Sequence, residues 1–150
     1  MNDLAPGTPT SGEIKGKDHF LTIRVYYEDT DAGGFVYHAN FLKYMERGRT
    51  EFLRTMGIEH SDLFSLDRGF KFAVASFSLD YLAPGFLDDI LVIISSPVAM
   101  KGATFHLDQT IKRGDQVLAK ASVRVACLDN NNKPRRIPKD VRERLAPLQG

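Results

Sequence analysis

Apolar residues recur at helical spacing over one long stretch of the chain, residues 37–57. Phe41, Met45 and Phe52 fall on one face at intervals that match the 3.6-residue period, and charged or polar residues occupy the opposite face. Gly57 follows the last apolar position, where glycine commonly ends a helix. The pattern predicts an amphipathic helix of about five turns.

Two residues interrupt the apolar face of this helix. Gly48 has no side chain, which lets the backbone come close to a packed sheet although glycine costs about 1 kcal/mol of helix propensity. Arg49 also projects toward the apolar face, and Glu46 one turn earlier is its expected charge partner. We therefore expect the helix backbone to come close to a packed sheet at Gly48.

The rest of the chain alternates between apolar and polar residues in the manner of strands. One strand is predicted near residues 20–26, and after a short polar, helical link at residues 61–68 the chain reads as strands to residue 128. The alternation changes parity around Ala75 and Ser76, which predicts a bulge. The later turns are expected at Lys101-Gly102 and at Arg113-Gly114-Asp115. This order predicts one α+β domain, with a curved antiparallel sheet of about five strands wrapped around the long helix.

The two ends of the chain differ from this patterned region. Residues 1–18 are rich in Gly, Pro, Ser and Thr, and they lack the positive leader and apolar stretch of a signal peptide. We expect a flexible tail there, a domain over residues 19–138, and a C-terminal tail with a short helix over residues 139–150. A cytoplasmic location is the expectation from this start.

Charge and cysteine content narrow the classes of function. Lys plus Arg number 20 and Asp plus Glu number 19, so the formal net charge of +1 does not supply the electropositive field of a nucleic-acid-binding protein. Cys127 is the one cysteine, which excludes an internal disulfide and a multi-thiolate metal site and is expected to be an inert core thiol. The longest aliphatic run, residues 90–94, is too short to span a bilayer.

Residues with catalytic chemistry collect in residues 27–38, immediately before the helix. Three carboxylates, two glycines and a histidine lie there, and the free N–H groups of a helix N-terminus suit an anion or a developing oxyanion. A carboxylate could act as nucleophile or general base, and His38 could orient a water molecule. Two simpler explanations stay open, because Asp29, Thr30 and Asp31 can merely turn the chain or can bind a divalent cation. No complete metal ligand set is present, and no metal is expected.

Other candidate features carry weaker signals. The chain contains no nucleophile elbow, phosphate loop or metalloprotease motif. His19, His60 and His106 are expected to be solvent-facing or locally hydrogen-bonded. The basic segment KPRRIPKDVRER suits a solvated tail, with phosphate contacts from Arg135 or Lys101 as the alternative.

At residues 26–54, YYEDTDAGGFVYHANFLKYMERGRTEFLR, the sequence resembles acyl-CoA thioesterases of the YbgC and 4-hydroxybenzoyl-CoA thioesterase group, within the hotdog superfamily. LDYLAPGFLDD at residues 79–89 and KPRRIP at residues 133–138 support the resemblance. It implies a hotdog fold, hydrolysis of an acyl-CoA or acyl-carrier-protein thioester without a cofactor, and a homodimer or homotetramer with active sites at subunit interfaces.

The resemblance also implies roles for individual residues. Asp31, in the D-x-x-G segment, is the implied catalytic carboxylate, and His38 and Tyr27 are implied to line the site. The implied substrate-binding residues are Gly34, Val36, Tyr37, Glu46 and Arg135. Glu46 is also an alternative position for the catalytic carboxylate. Two residues depart from the pattern of the family: Gly48, where alanine is usual, and Phe35, where a smaller aliphatic residue is common and a change in the acyl pocket is expected.

Two other functions remain open at this point. A non-catalytic acyl-CoA or lipid sensor would bind the thioester without consuming it, since a shared fold does not guarantee a shared function. A hotdog dehydratase is the other rival. The presence of Asp31 and His38 favours hydrolysis over the sensor, and the resemblance of the loop segment to thioesterases favours it over the dehydratase.

Overall fold

The computed structural model describes residue 7, residues 9–58 and residues 69–148. A long helix, α1 (His38–Thr55), packs on a six-stranded antiparallel sheet. The strands are β1 (Glu13–Lys15), β2 (Asp18–Arg24), β3 (Lys71–Tyr81), β4 (Ile90–Lys101), β5 (Thr104–Arg113) and β6 (Gln116–Leu128). A second helix, α2 (Lys139–Leu145), and two 3-10 turns, Tyr27–Asp29 and Ala146–Leu148, complete the described elements. Within these ranges no helix is long and apolar enough to cross a membrane.

The strand order in the sheet is β1-β2-β4-β5-β6-β3, which leaves β1 and β3 at the two edges. The predicted α+β class is confirmed, with one strand more than the expected five. The additional strand is β1, in which Glu13 pairs with Phe20 and Ile14 pairs with His19. Strand pairing therefore begins within residues 1–18, which were expected to be a flexible tail. A three-residue segment shows too little alternation to predict a strand, and pairing with β2 makes it one.

The bulge and the turns lie where the sequence predicted them. The register between β3 and β6 shifts between Val74 and Ser76. The alternation of inward-facing and outward-facing side chains is therefore reversed between the two halves of β3. The hairpins turn at residues 102–103 and 114–115, and Gly102 and Gly114 both adopt positive φ. The predicted helical link at residues 61–68 and His60 lie outside the described residues.

Gly48 lies where the backbone of α1 comes close to the sheet, as predicted. A Cβ built on Gly48 would lie 2.6 Å from Ile93 Cγ2 on β4. Beside it, the buried Gln109 side-chain amide donates to the Met45 carbonyl oxygen at 2.9 Å and joins the helix backbone to β5. Arg49 donates to Gln109 Oε1 at 3.0 Å, so its hydrogen bond is to β5 of the sheet. The negative charge of Glu46, the expected partner, acts to raise the pKa of Arg49.

The cysteine, one of the histidines and the C-terminal helix all contribute to the packed interior. Cys127 is fully buried, as expected of a core thiol, and burial raises its pKa to about 11. His19 is also fully buried, and its Nε2 lies 2.7 Å from the Ser11 carbonyl oxygen, which makes it locally bonded rather than solvent-facing. The C-terminal tail does contain a short helix, α2, and it packs on the core through Val141 and Leu145.

Candidate active site

A buried carboxylate organises the loop before α1. Asp29 is 4% exposed, and its Oδ2 accepts a hydrogen bond from the Tyr26 N–H at 2.8 Å. Its Oδ1 accepts from the Asn40 side-chain amide at 2.8 Å, and its carbonyl oxygen accepts from the Tyr37 N–H at 2.8 Å. Both oxygens of this carboxylate are therefore committed to holding the loop on the first turn of the helix.

Tyr44 lies one helical turn after Asn40 and is buried in the same region. Desolvation, together with the negative charge of the Asp29 carboxylate, raises the pKa of Tyr44. The Tyr44 hydroxyl therefore remains protonated beside the Asp29 carboxylate. Sequence reasoning grouped Asp29 with the candidate catalytic carboxylates, and the structure places it in a supporting position.

Asp31 is an exposed carboxylate of the loop, as is Glu28. Its Oδ1 accepts from the Gly33 N–H at 2.9 Å and from the Phe35 N–H at 3.2 Å, which fixes the orientation of the side chain. Within residues 9–58 and 69–148, no donor is recorded at Oδ2. The carboxylate is therefore oriented by backbone groups and still presents one oxygen to a ligand.

A tight turn follows Asp31 and returns the chain to the helix. The Asp31 N–H donates to the Phe35 carbonyl oxygen at 2.8 Å, and Gly34 adopts a φ of 86°, which an L side chain rarely takes. Thr30 and Val36 form an antiparallel bridge that closes the turn. Val36 is buried and its N–H donates to the Gly85 carbonyl oxygen at 2.8 Å, which joins the turn to the segment after β3.

The start of α1 presents backbone amides with no assigned acceptor. Tyr37 is the N-cap residue and offers no side-chain hydrogen bond to the first turn. The Asn40 N–H donates to the Tyr37 carbonyl oxygen at 2.8 Å. In the part of the chain that the structure describes, the amides of His38 and Ala39 have no recorded acceptor, as is usual for the first turn of a helix. These two groups and the helix dipole suit an oxyanion.

Exposed aromatic side chains surround this helix start. The His38 ring lies edge-on to Tyr37 at 4.6 Å between centroids and to Tyr81 at 6.3 Å. Tyr27 is 82% exposed on the neighbouring 3-10 turn. Tyr27, Tyr37 and His38 were predicted at the site from the sequence, whereas Tyr81 was not. Tyr81 lies 43 residues after His38 and is brought to it by β3.

Two predicted site residues lie away from the Asp31 loop. Glu46 is exposed two turns further along α1, about 12 Å from His38 by the 1.5 Å rise per residue. Arg135 donates to the Gly69 carbonyl oxygen at 3.0 Å, and its guanidinium lies 5.5 Å from the Phe70 ring centroid. These contacts give Arg135 a structural role in the C-terminal segment.

Glu46 opens onto a cleft of about 240 Å³ between α1 and the sheet. Its walls are mainly apolar, and Arg49 adds a cationic group that is partly buried. Desolvation lowers the pKa of Arg49, whereas Glu46 acts in the opposite direction. The apolar lining includes Leu53, Phe72, Phe105 and Val125.

The described residues do not offer a metal site. No group of three or more His, Cys, Asp or Glu side chains is arranged around a common point within those ranges. Of the loop carboxylates, Asp29 has both oxygens engaged in hydrogen bonds, whereas in the described residues the Oδ2 of Asp31 has no recorded donor.

An antiparallel sheet wrapped around one long helix, with this carboxylate loop at the helix start, defines the hotdog class of thioester hydrolases. Residues 33–120 match the family model described as the thioesterase superfamily. The chain belongs to the thioesterase superfamily.

Individual relatives agree with this assignment. The chain is 43% identical over 121 residues to the acyl-CoA thioesterase YbgC of Haemophilus influenzae, covering 80% of this chain and 88% of that one. It is 31% identical over 109 residues to a 1,4-dihydroxy-2-naphthoyl-CoA hydrolase of Nostoc punctiforme, covering 73% of each chain. The crystal structure of a probable thioesterase from Bartonella henselae superposes with a TM-score of 0.77 at 37% identity, covering 81% of this chain and 99% of that one.

Proposed function

We propose that this enzyme hydrolyses acyl-CoA thioesters, or the equivalent acyl-carrier-protein thioesters, to a free acid and a thiol, with Asp31 as the reacting carboxylate. The observation that carries this proposal is the geometry of Asp31. Two backbone amides hold Oδ1 and no recorded donor occupies Oδ2 in the described residues, while the turn after Asp31 leads directly into the helix start. Family membership and the names of the relatives support the choice of substrate.

Two routes are compatible with this geometry. In one, an Asp31 oxygen attacks the thioester carbonyl carbon, the C–S bond breaks to release the thiolate, and water then hydrolyses the mixed anhydride. In the other, Asp31 removes a proton from a water molecule that attacks the same carbon, the C–S bond then breaks, and Asp31 returns the proton to the leaving thiolate to give the thiol. Both routes place negative charge on the carbonyl oxygen.

The start of α1 is the proposed site of that negative charge. The amides of His38 and Ala39 would donate to the oxyanion, and a preorganised donor of this kind contributes roughly 3–4 kcal/mol in comparable hydrolases. The exposed His38 ring would orient water or substrate, and Tyr27 and Tyr37 would border the ligand. Gly34 and Val36 contribute through the shape and anchoring of the turn.

The cleft beside Glu46 is the proposed site for the acyl group. Its mainly apolar walls suit an acyl substituent, and Glu46 lies at its polar side with Arg49. Contacts to the phosphates of coenzyme A are proposed for Lys101, which is exposed at the end of β4, and for Arg135 through the donors that Gly69 does not use.

A second copy of the chain is the proposed partner. In the described part of the chain β3 pairs with β6 only, so the other edge of β3 is open, and Val74 on it is 48% exposed. An open, apolar strand edge readily pairs with another strand. We propose at least a homodimer joined along β3, and light scattering of the wild type against Val74→Lys tests this directly.

Release of thiol from a panel of acyl-CoAs, short to long and including aromatic ones, tests the proposed function. Turnover of at least one substrate by the purified enzyme is the expected result. Binding of acyl-CoA without thiol release would instead identify a sensor and would overturn the proposal.

A further inference from the structure

Tyr81 makes a specific hydrogen bond to the start of α1. Its hydroxyl, at the last residue of β3, donates to the His38 carbonyl oxygen at 2.8 Å. The ring is held edge-on by Phe41, with centroids 5.6 Å apart, and by His38 at 6.3 Å. Burial raises the pKa of Tyr81, so the hydroxyl stays protonated and keeps donating across the neutral range.

The carbonyl that Tyr81 binds belongs to the same peptide group as the Ala39 N–H. A peptide group is planar, so fixing its oxygen also fixes the direction in which its N–H points. Hydrogen bonds in series also polarise one another, and an amide whose oxygen accepts a hydrogen bond becomes a stronger donor. Tyr81 therefore acts on both the direction and the strength of the Ala39 N–H.

The Ala39 N–H is one of the two first-turn amides without a recorded acceptor in the described residues. The neighbouring Asn40 is fixed from the other side, because its side chain donates to Asp29 at 2.8 Å. Tyr81 and Asp29 thus hold the first turn of α1 from two different elements. Such dual support matters at an oxyanion site, because donors must be in place before charge develops.

We propose that Tyr81 is a positioning residue for the oxyanion site, acting through the His38–Ala39 peptide group. This inference rests on the proposed function and adds to it a residue that neither the loop motif nor the helix motif contains. Tyr81 acts without touching the reacting atoms. A hydroxyl that serves only to attach β3 to α1 would support folding without changing turnover by folded enzyme.

Tyr81→Phe separates these two roles, because it removes the hydroxyl and keeps the ring. We expect kcat to fall about tenfold, less than the loss from deleting an oxyanion donor outright, with KM changed less than about twofold. Tyr26→Phe, which removes an exposed phenol from the same region, is the matched control and should retain wild-type kcat. The amide resonance of Ala39 in a ¹⁵N–¹H spectrum is expected to shift in Tyr81→Phe and to stay in place in the control.

Each outcome decides the inference. Wild-type kcat in folded Tyr81→Phe, alongside an inactive Asp31→Asn, would overturn the role of Tyr81 and leave the proposed function standing. A change in KM alone would also overturn it, since Tyr81 would then contact the substrate. A wild type that releases no thiol from any acyl-CoA would remove the proposed function and this inference together.

Discussion

Asn40 donates from its side-chain amide to Asp29 Oδ1 at 2.8 Å, and both residues are buried. This hydrogen bond joins the first turn of α1 to the loop that carries Asp31. The acceptor is a buried carboxylate, which is costly to leave unsatisfied. The relative position of Asp31, the proposed reacting carboxylate, and the helix start therefore depends on the buried pair Asn40 and Asp29.

Asn40→Ala should destabilise the protein. Removal of the amide leaves a buried carboxylate oxygen without its donor, which costs about 1–3 kcal/mol. Urea unfolding of the variant against the wild type measures the loss. Asn131→Ala, in an exposed turn where only the backbone N–H of Asn131 is bonded to Asp129, should lie close to the wild type. Equal stability of all three proteins would contradict the supporting role of Asn40.

Gly48→Ala should destabilise the protein although alanine favours helices. The new Cβ would lie 2.6 Å from Ile93 Cγ2, and overpacking of this kind costs about 1–3 kcal/mol. Thermal unfolding should show a lower Tm. Lys43→Ala on the exposed face of α1 provides the control and should shift Tm little. A Tm equal to or above the wild type in Gly48→Ala would show that the helix moves away from the sheet without cost.

His19 should make stability depend on pH on the acidic side. Desolvation lowers its pKa below the ordinary value of 6.5, more than its contacts with Ser11 and Glu51 raise it. The unfolded chain then binds the proton more readily, so stability is constant above pH 6.5 with respect to this group and falls as the pH drops from 6.5 toward the folded pKa.

Chemical unfolding at pH 7.5 and pH 5, compared with His19→Gln, measures this contribution. The wild type should lose more stability between the two pH values than the variant. His106→Gln, which changes a half-buried histidine on β5, should keep the difference that the wild type shows. An identical pH dependence in wild type and His19→Gln would refute the assignment.

Phe35 should limit the size of the acyl substituent directly beside the thioester carbonyl, at the Asp31 end of the path to the cleft beside Glu46. Its Cδ2 and Asp31 Oδ1 both lie 3.4 Å from the position a Cβ on Gly33 would take, and its ring packs on Phe86 with centroids 5.5 Å apart. Phe35→Val opens space beside Asp31, the proposed reacting carboxylate. The ratio of kcat/KM for benzoyl-CoA to that for butyryl-CoA should rise at least about tenfold, the effect of one or two methylenes of room. Val98→Ala on β4 should leave the ratio unchanged. An unchanged ratio in Phe35→Val would show that Phe35 does not border the acyl substituent.

Local pattern was sufficient for much of the fold. Three features could be predicted because each reflects packing within or against the sheet. They are the helical spacing of apolar residues, the glycine at position 48 and the reversal of strand alternation before Phe77. β1 escaped prediction because three residues carry too little periodicity, and only pairing with β2 makes them a strand.

The sequence predicted most residues of the candidate site, but not which of them are buried supports and which are exposed. Asp29 and Asp31 are two positions apart and chemically identical, and tertiary contacts alone decide that one is buried and bonded while the other is exposed. Tyr81 reaches His38 across 43 residues through the length and register of β3, which no local motif records. Relationships of this kind depend on where strands end relative to the helix.

The turnover of Asp31→Asn on the best acyl-CoA substrate tests the central claim most directly. Glu28→Gln, another exposed carboxylate of the same loop, is the matched control, and Glu46→Gln tests the alternative position on α1. We predict that folded Asp31→Asn loses roughly 100- to 10,000-fold in kcat, the range expected for a general acid–base group, while Glu28→Gln stays near the wild type. Substantial turnover in folded Asp31→Asn, together with its collapse in Glu46→Gln, would contradict the account and move the reacting carboxylate to the helix.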